Sequence, residues 1–414
     1  MDERTPERAN DLRHRQSVKP THGPRRSAAE SLVRILRSGA YANTIVAATS
    51  VDPVDAHGFY QRLVYTALRF LPAIDRALAT SSSRPLEKVD PYALAVMRIA
   101  TAEMRYLSTE PYAAVNEAVE AVATSRFARA RGFVNAALRS VAEQPPVGTW
   151  QLTDSYPESL VNLLGDEMGG AAAEAFLTAS NEPAPIGIRF RGLDDGGFAS
   201  RYADPEADDV ISLESSGIVD IIDPASAAVA EAVEAGPGDI VVDLAAAPGG
   251  KTRALGDVVG ATGLVIGSDI HQRRLQRAAR RHRTPDPIRW VVADGTRSPF
   301  RDASADRVLV DAPCTGLGTM RRRPEIRYRF SPDAPMRYRA VQRQIVEEAL
   351  RIVRPGGRVV YSVCTVTAGE TVGVLEGLGF HGPATPLGIP WGDGTLLGPH
   401  IAGTDGMFIA ALDT

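Results

Sequence analysis

A chain of 414 residues exceeds what one ordinary hydrophobic core organises, so two or three domains are expected. Its composition, 44% hydrophobic and 23% charged, is that of a globular protein; the polar stretch MDERTPERANDLRHRQSVKP lacks the apolar centre of a secretory leader, and no later stretch has the apolar length of a membrane span. Two cysteines fifty residues apart build neither a disulfide framework nor a metal site, and a net charge of −4 by itself argues mildly against a nucleic-acid binder; a cytoplasmic protein without metal chemistry is expected, and a monomer.

Residues 1–26 are polar and basic without periodicity and read as a flexible arm. Residues 27–145 read as an all-helical domain. Ser27 and Glu30 have capping-box spacing ahead of Leu32, Val33 and Leu36, with Gly39 as the stop. HGFYQRLVYTALRFL follows, then DPYALAVMRIATAEMRYL with Asp90 as N-cap and Pro91 at the first helical position, then PYAAVNEAVEAVAT and GFVNAALRSVAE. Pro145 and Pro146 close the domain. Residues 146–216 read as a small α+β connector in which PESLVNLLGDEMG is helical and PIGIRF and DVISLES are short strands.

Over residues 217–414 strands alternate with loops and helices. IVVDLA, LVIGSDI, IRWVVAD, RVLVDAP and RVVYSVC are the strands, which predicts a doubly wound α/β sheet. MFIAALD adds a late strand, expected to be antiparallel at the edge.

In such sheets ligands bind beyond the carboxyl ends of the strands, where the strand order reverses. Asp243, Asp269, Asp294 and Asp311 stand at the first four of those ends. One such aspartate reads equally well as a helix cap, whereas four suggest a ligand with several hydrogen-bond donors. The loop DLAAAPGGKT lacks the G-x-G-x-x-G spacing of a dinucleotide site, and Ala245 stands where a P-loop needs glycine. Small residues at 245–247, a turn stiffened by Pro248 and the pair Gly249, Gly250 suit a nucleoside without phosphates. Asp269 is placed to accept from the ribose, and S-adenosylmethionine fits. Lys251 is one of three lysines in the chain, which suggests that a compact ammonium is wanted there.

The cysteines, Cys314 in DAPCTGLGTMRRRPE and Cys364 in GGRVVYSVCTV, each end an apolar run. Buried cysteines are often merely small hydrophobes. In the usual methyltransferase strand order, however, their strands are neighbours about 4.8 Å apart, and both sulfurs face one cavity. Ring carbon C5 of a pyrimidine is a poor nucleophile, and a thiolate adding to C6 makes it enamine-like. That route needs a nucleophile, a carboxylate to hold the base and a group assisting release, and two cysteines with Asp311 supply them. Two arginine runs, six residues within 271–283 and eight from Arg321 to Arg343, suggest a polyanion footprint.

These motifs together resemble the Nol/Nop/Sun RNA 5-methylcytosine methyltransferases. DLAAAPGGKT looks like their cofactor loop, DAPCTGLGTMRRRPE like their motif IV with its arginine-rich sequel, and GTDGMFIAAL like their C-terminal signature. VNEAVEAV and FVNAALRS are similar to the NusB-like RNA-binding domain of one branch. The resemblance implies a NusB-like helical domain, a connector and a Rossmann-like class I methyltransferase domain. It implies S-adenosylmethionine contacts at Ala245, Ala246, Ala247, Pro248, Gly249, Gly250, Lys251, Asp269, Asp294 and Asp311. It makes Cys364 the nucleophile and Cys314 the helper, acting on a cytidine of 16S ribosomal RNA or of an early small-subunit assembly intermediate. The same chemistry on transfer RNA, or an inert RNA-binding assembly factor, are the alternatives. Val363 replaces the family's threonine before the nucleophile, Ile222 precedes Asp223 where a Gln-Asp pair is frequent, and Glu325 replaces an aspartate. Glu370 matches a family acid and reads equally as a helix cap.

Overall fold

The computed structural model describes residues 22–191, 200–204, 209–280 and 287–414. Most of the basic arm, together with Arg281 and Arg283 of the first arginine run, lies outside the described residues. The chain divides into two compact units, 1–148 and 149–414.

The first unit is helical: α1 (Pro24–Ser38), α2 (Ala42–Ala48), α3 (His57–Arg69), α4 (Leu71–Ser81), α5 (Pro91–Tyr106), α6 (Pro111–Ala123) and α7 (Arg131–Ala142). Asp90 caps α5 by accepting from the amides of Tyr92 and Ala93, relieving two of the donors a helix start leaves unpaired. α5 carries ten buried residues and forms the centre of the core with Leu32, Leu63, Ile74 and Leu138. The capping box expected at Ser27 is absent. Pro24 starts α1 three residues earlier, and Ser27 lies inside the helix, its hydroxyl donating to the His22 carbonyl. Gly39 does end α1, in the left-handed conformation that glycine tolerates.

The second unit opens with α8 (Glu158–Met168) and α9 (Gly170–Asn181), then β1 (Gly187–Phe190), β2 (Ser200–Tyr202), α10 (Val210–Ser216) and β3 (Val219–Ile221). β2, β1 and β3 form a small antiparallel sheet. DVISLES is thus a helix rather than the expected strand. Asp209 caps it through the Ser212 amide and Gly217 ends it at φ 78°, and these two end signals decide what a short apolar run leaves ambiguous.

The remaining elements are α11 (Pro224–Glu231), β4 (Ile240–Asp243), α12 (Gly250–Val259), β5 (Leu264–Asp269), α13 (Gln272–Arg280), β6 (Ile288–Val292), β7 (Ala305–Asp311), α14 (Ala334–Ile352), β8 (Val353–Val363), α15 (Val372–Leu375), β9 (Gly388–Trp391), β10 (Gly394–Leu397) and β11 (Met407–Asp413). They build an eight-stranded sheet in the order β6-β5-β4-β7-β8-β11-β10-β9. β6 to β8 pair in parallel and the last three strands antiparallel. Alternation along the strands divides the core. Val242, Val308 and Val310 pack with α14 residues such as Ile345 and Val346, whereas Val241 and Leu309 pack with Val229 of α11 and Leu255 of α12. β11 is antiparallel as expected but lies inside the sheet, because β10 and β9, which the sequence pattern did not reveal, extend it further. No helix among the described residues is long and apolar enough to cross a membrane.

Candidate functional site

The chain runs from β4 outward to β6, then returns to β7 on the other side of β4, so strand order reverses between β4 and β7. A crevice beyond their carboxyl ends is the place for a ligand. The loop after β4, Ala245 to Gly249, leads directly into α12 at Gly250. Gly249 stands at φ 97°, and a Cβ there would lie 3.0 Å from the Trp290 ring and 3.1 Å from Ala278, so both conformation and space require glycine. Ala246, Ala247 and Gly249 are buried, Ala245 and Gly250 half-buried, and Pro248 exposed.

Asp269 is buried, its Oδ1 accepting from the His271 amide at 2.8 Å and its Oδ2 from the Ala247 amide at 3.3 Å. It therefore braces the β4 loop from the neighbouring strand. Asp294 is exposed and accepts from the amide and hydroxyl of Thr296, which hold its carboxyl below the usual range. Asp243 is almost wholly buried. Burial pushes its carboxyl up to about 7 against the pull of the Thr252 hydroxyl at 2.7 Å.

Lys251, at the start of α12, donates to Asp311 Oδ2 at 2.8 Å, while the Ser362 hydroxyl donates to Asp311 Oδ1 at 3.0 Å. Burial pulls the Lys251 ammonium down, but Asp311 outweighs it and leaves the net direction upward. A lysine committed to a carboxylate is not offered to a phosphate. Small loop residues, acceptors at Asp269 and Asp294 and this neutralised cation suit a cationic, phosphate-free nucleoside such as S-adenosylmethionine.

The two cysteines meet here. β7 and β8 are parallel neighbours, with Asp311 paired to Ser362. Cys314 lies three residues beyond one strand, Cys364 one beyond the other, and their sulfurs are 3.3 Å apart. The Cys314 thiol is pushed well up, first by its hydrogen bond to Cys364 and then by burial. Cys364 moves the other way: donation from Cys314 lowers it, with help from Arg323 and Lys251, against burial and Asp311. The two directions make Cys364 the thiol of the pair that ionises first, with Cys314 keeping its proton to donate.

The loops that carry them are fastened to each other. Gly318 donates its amide to the Cys364 carbonyl at 2.9 Å, and Gly406, in GTDG, donates to the Gly318 carbonyl at 2.8 Å. The main chains touch so closely that a Cβ on Gly318 would fall 2.0 Å from the Gly406 oxygen. Glu370, fully buried, gathers donors from both loops, the Thr315 amide at 2.8 Å and hydroxyl at 2.6 Å and the Thr367 hydroxyl at 2.9 Å, with the Thr365 hydroxyl oxygen 3.3 Å away. Sequence reasoning missed this cluster, and the available signal was a threonine directly after each cysteine. Val363 turns into the core, so the threonine it replaces leaves no gap among these hydroxyls.

Part of the second arginine run is committed to internal partners: Arg321 and Arg327 are buried, whereas Arg337 is exposed and the others are half-buried. Arg322 donates to Asp405 at 2.8 Å, Asp223 at 2.7 Å and the Pro185 carbonyl at 3.0 Å, Arg321 donates to the Gly403 carbonyl, and Arg327 lies buried over the Tyr156 ring. Buried carboxylates and carbonyls recruit these guanidinium groups because their forked donors satisfy several acceptors at once. Arg273, Arg274, Arg277 and Arg280 on α13 remain exposed.

A reversing parallel sheet with a small-residue loop at its switch point and an antiparallel terminal extension defines a Rossmann-like class I methyltransferase fold. Residues 230–413 match the family described as 16S rRNA methyltransferase RsmB/F, and residues 22–143 match the NusB family. The ribosomal RNA small subunit methyltransferase B of Thermus thermophilus is 36% identical, covering 76% of each chain. Its namesake from Xylella fastidiosa strain 9a5c is 28% identical over 93% of this chain and 99% of its own. The crystal structure of PH0851 shares the fold at a TM-score of 0.79, with 23% identity over 94% of this chain and 98% of that one. The chain belongs to the RsmB/F family, the Sun-type RNA methyltransferases, in the form that also carries a NusB-family domain. S-adenosylmethionine is the methyl donor of this family.

Proposed function

We propose that the protein methylates C5 of a cytidine in 16S ribosomal RNA through a covalent bond between Cys364 and C6. The observation that carries this reading is the pair of sulfurs 3.3 Å apart beside Asp311 and Lys251. Alkylation of an amine or a hydroxyl has no use for two thiols, whereas a pyrimidine C5 must first be activated by a nucleophile at C6. Cys364, as the thiolate, bonds to C6. Asp311, oriented by Lys251 and Ser362, holds the base edge at N3 and N4. S-adenosylmethionine supplies the electrophilic methyl group, held by Ala245 to Lys251 with Asp269, Asp294 and Asp311. Cys314 then assists breakdown of the adduct, in which the C5 proton leaves and the sulfur–C6 bond breaks.

The names of the relatives supply the ribosomal substrate, free or within an assembling small subunit. The NusB-family domain and the exposed arginines of α13 are the surfaces that bind RNA, and the target base is drawn out of its stack into the crevice. Cys364→Ala is expected to abolish transfer. Cys314→Ala is expected to attack RNA and accumulate a denaturation-resistant protein–RNA adduct. Appearance of that adduct with Cys364→Ala instead would reverse the roles. Bisulfite mapping of ribosomal and transfer RNA from a strain lacking the protein identifies the target, and a lost mark in transfer RNA alone would refute the ribosomal assignment.

A further inference from the structure

The residue following each cysteine is a threonine, and both threonines converge on one buried acid. Thr315 and Thr365 have hydroxyl oxygens 2.8 Å apart, and Glu370 Oε2 lies 2.6 Å from the first and 3.3 Å from the second. A hydroxyl has one proton to give. The shorter distance assigns the Thr315 proton to Glu370, which leaves Thr315 to accept from Thr365. The result is a chain from the Cys364 loop through the Cys314 loop to the carboxylate. Oε1 meanwhile takes the Thr315 amide at 2.8 Å and the Gln342 amide nitrogen at 3.4 Å. The same Gln342 nitrogen donates at 2.8 Å to the carbonyl of Pro313, the residue before Cys314. The acid's own main chain is pinned by Tyr361, whose hydroxyl donates to the Glu370 carbonyl at 2.7 Å.

A fully buried carboxylate loses its hydration, and an apolar side chain would fill the space without that cost. What an apolar residue could not do is tie the residue after Cys314 to the residue after Cys364. We infer that Glu370 is a positioning residue for the transfer, holding the two cysteine loops in the register that keeps Cys314 Sγ in contact with Cys364 Sγ. It touches neither sulfur and acts through Thr315 and Thr365. This inference rests on the cysteine chemistry proposed above.

The test uses the full chain with Glu370→Gln, Thr315→Val or Cys364→Ala. Thiolate absorbance is followed against pH in the free protein, and methyl transfer is measured on a transcript of small-subunit ribosomal RNA. Glu370→Gln keeps one acceptor and loses the other. It is expected to move the Cys364 titration upward and to slow turnover about tenfold to a hundredfold, with KM for the RNA changed by less than about threefold. Thr315→Val, which keeps the amide donor and the side-chain shape, shifts both readouts in the same direction by less. It carries the test alone should the glutamine variant not fold. A wild-type thiolate titration in the folded variants overturns the inference, whatever their rates. Undiminished transfer by Cys364→Ala overturns instead the chemistry beneath it, in a protein whose Glu370 is intact.

Discussion

Replacing Arg322 by alanine should damage stability rather than RNA affinity, and the damage should depend on pH. The guanidinium joins three otherwise separate segments: Pro185 before β1, Asp223 at the cap of α11 and Asp405 in GTDG. Arg322 is 31% exposed, but with Asp223 at 6% and Asp405 at 8% the two carboxylates have little water of their own to replace it. Removing one member of such a buried cluster costs about 3 to 5 kcal/mol, because the remaining charges are left unpaired. For a unit of this size that corresponds to a fall of roughly 6 to 20 °C in Tm. Burial and Asp223 raise the Asp405 carboxyl to about 6 even with Arg322 present. A carboxyl raised above its unfolded value favours the protonated fold, so its contribution is present at low pH and is lost as pH rises through about 6. Without Arg322 that carboxyl rises further, so the destabilisation should be greatest near about pH 8 and shrink toward about pH 5. Calorimetric unfolding of wild type and Arg322→Ala across this range checks it. A larger loss at the acid end, or an unchanged Tm with weakened RNA binding, would refute the reasoning.

Three further outcomes are expected. Gly318→Ala would drive a Cβ into the Gly406 oxygen, part the two main chains and cost more than about 2 kcal/mol together with most of the transfer activity. Gly165→Ala is the matched control: it meets open space within α8 and should be neutral or stabilising by up to about 1 kcal/mol in thermal unfolding. Neutralising Arg273, Arg277 and Arg280 should weaken RNA binding and reduce its salt slope by about 0.7 for each phosphate left without its arginine, read by titration at several salt concentrations. Arg274 is left out of that variant because it donates to the Ala247 carbonyl in the loop after β4.

The sheet was legible because four of its five parallel strands are largely buried apolar runs, β6 at the edge being the exception, and because a loop at a switch point must be built from small residues. The crevice followed from topology, since adjacency of β7 and β8 brings together two cysteines fifty residues apart. What stayed hidden depends on partners distant in the chain. β10 is four buried residues, Gly394 to Leu397, too short for periodicity to identify, yet it moves β11 from the edge to the interior. The arginines after motif IV carry the same letters whether they face water or Asp223 and Asp405, and only the fold distinguishes the two. Glu370 read as a cap because a sequence cannot display the three hydroxyls that surround it.

The contact of Gly406 with Gly318 also bears on when the site can exist. The Cys314 loop is secured by Cys364, and it is secured a second time only when residues just before β11 arrive. These contacts join segments separated by roughly fifty and ninety positions, and pairings of that range form late in folding. A chain lacking residue 406 therefore holds the Cys314 loop by the Cys364 carbonyl alone, with one main-chain clasp of the two.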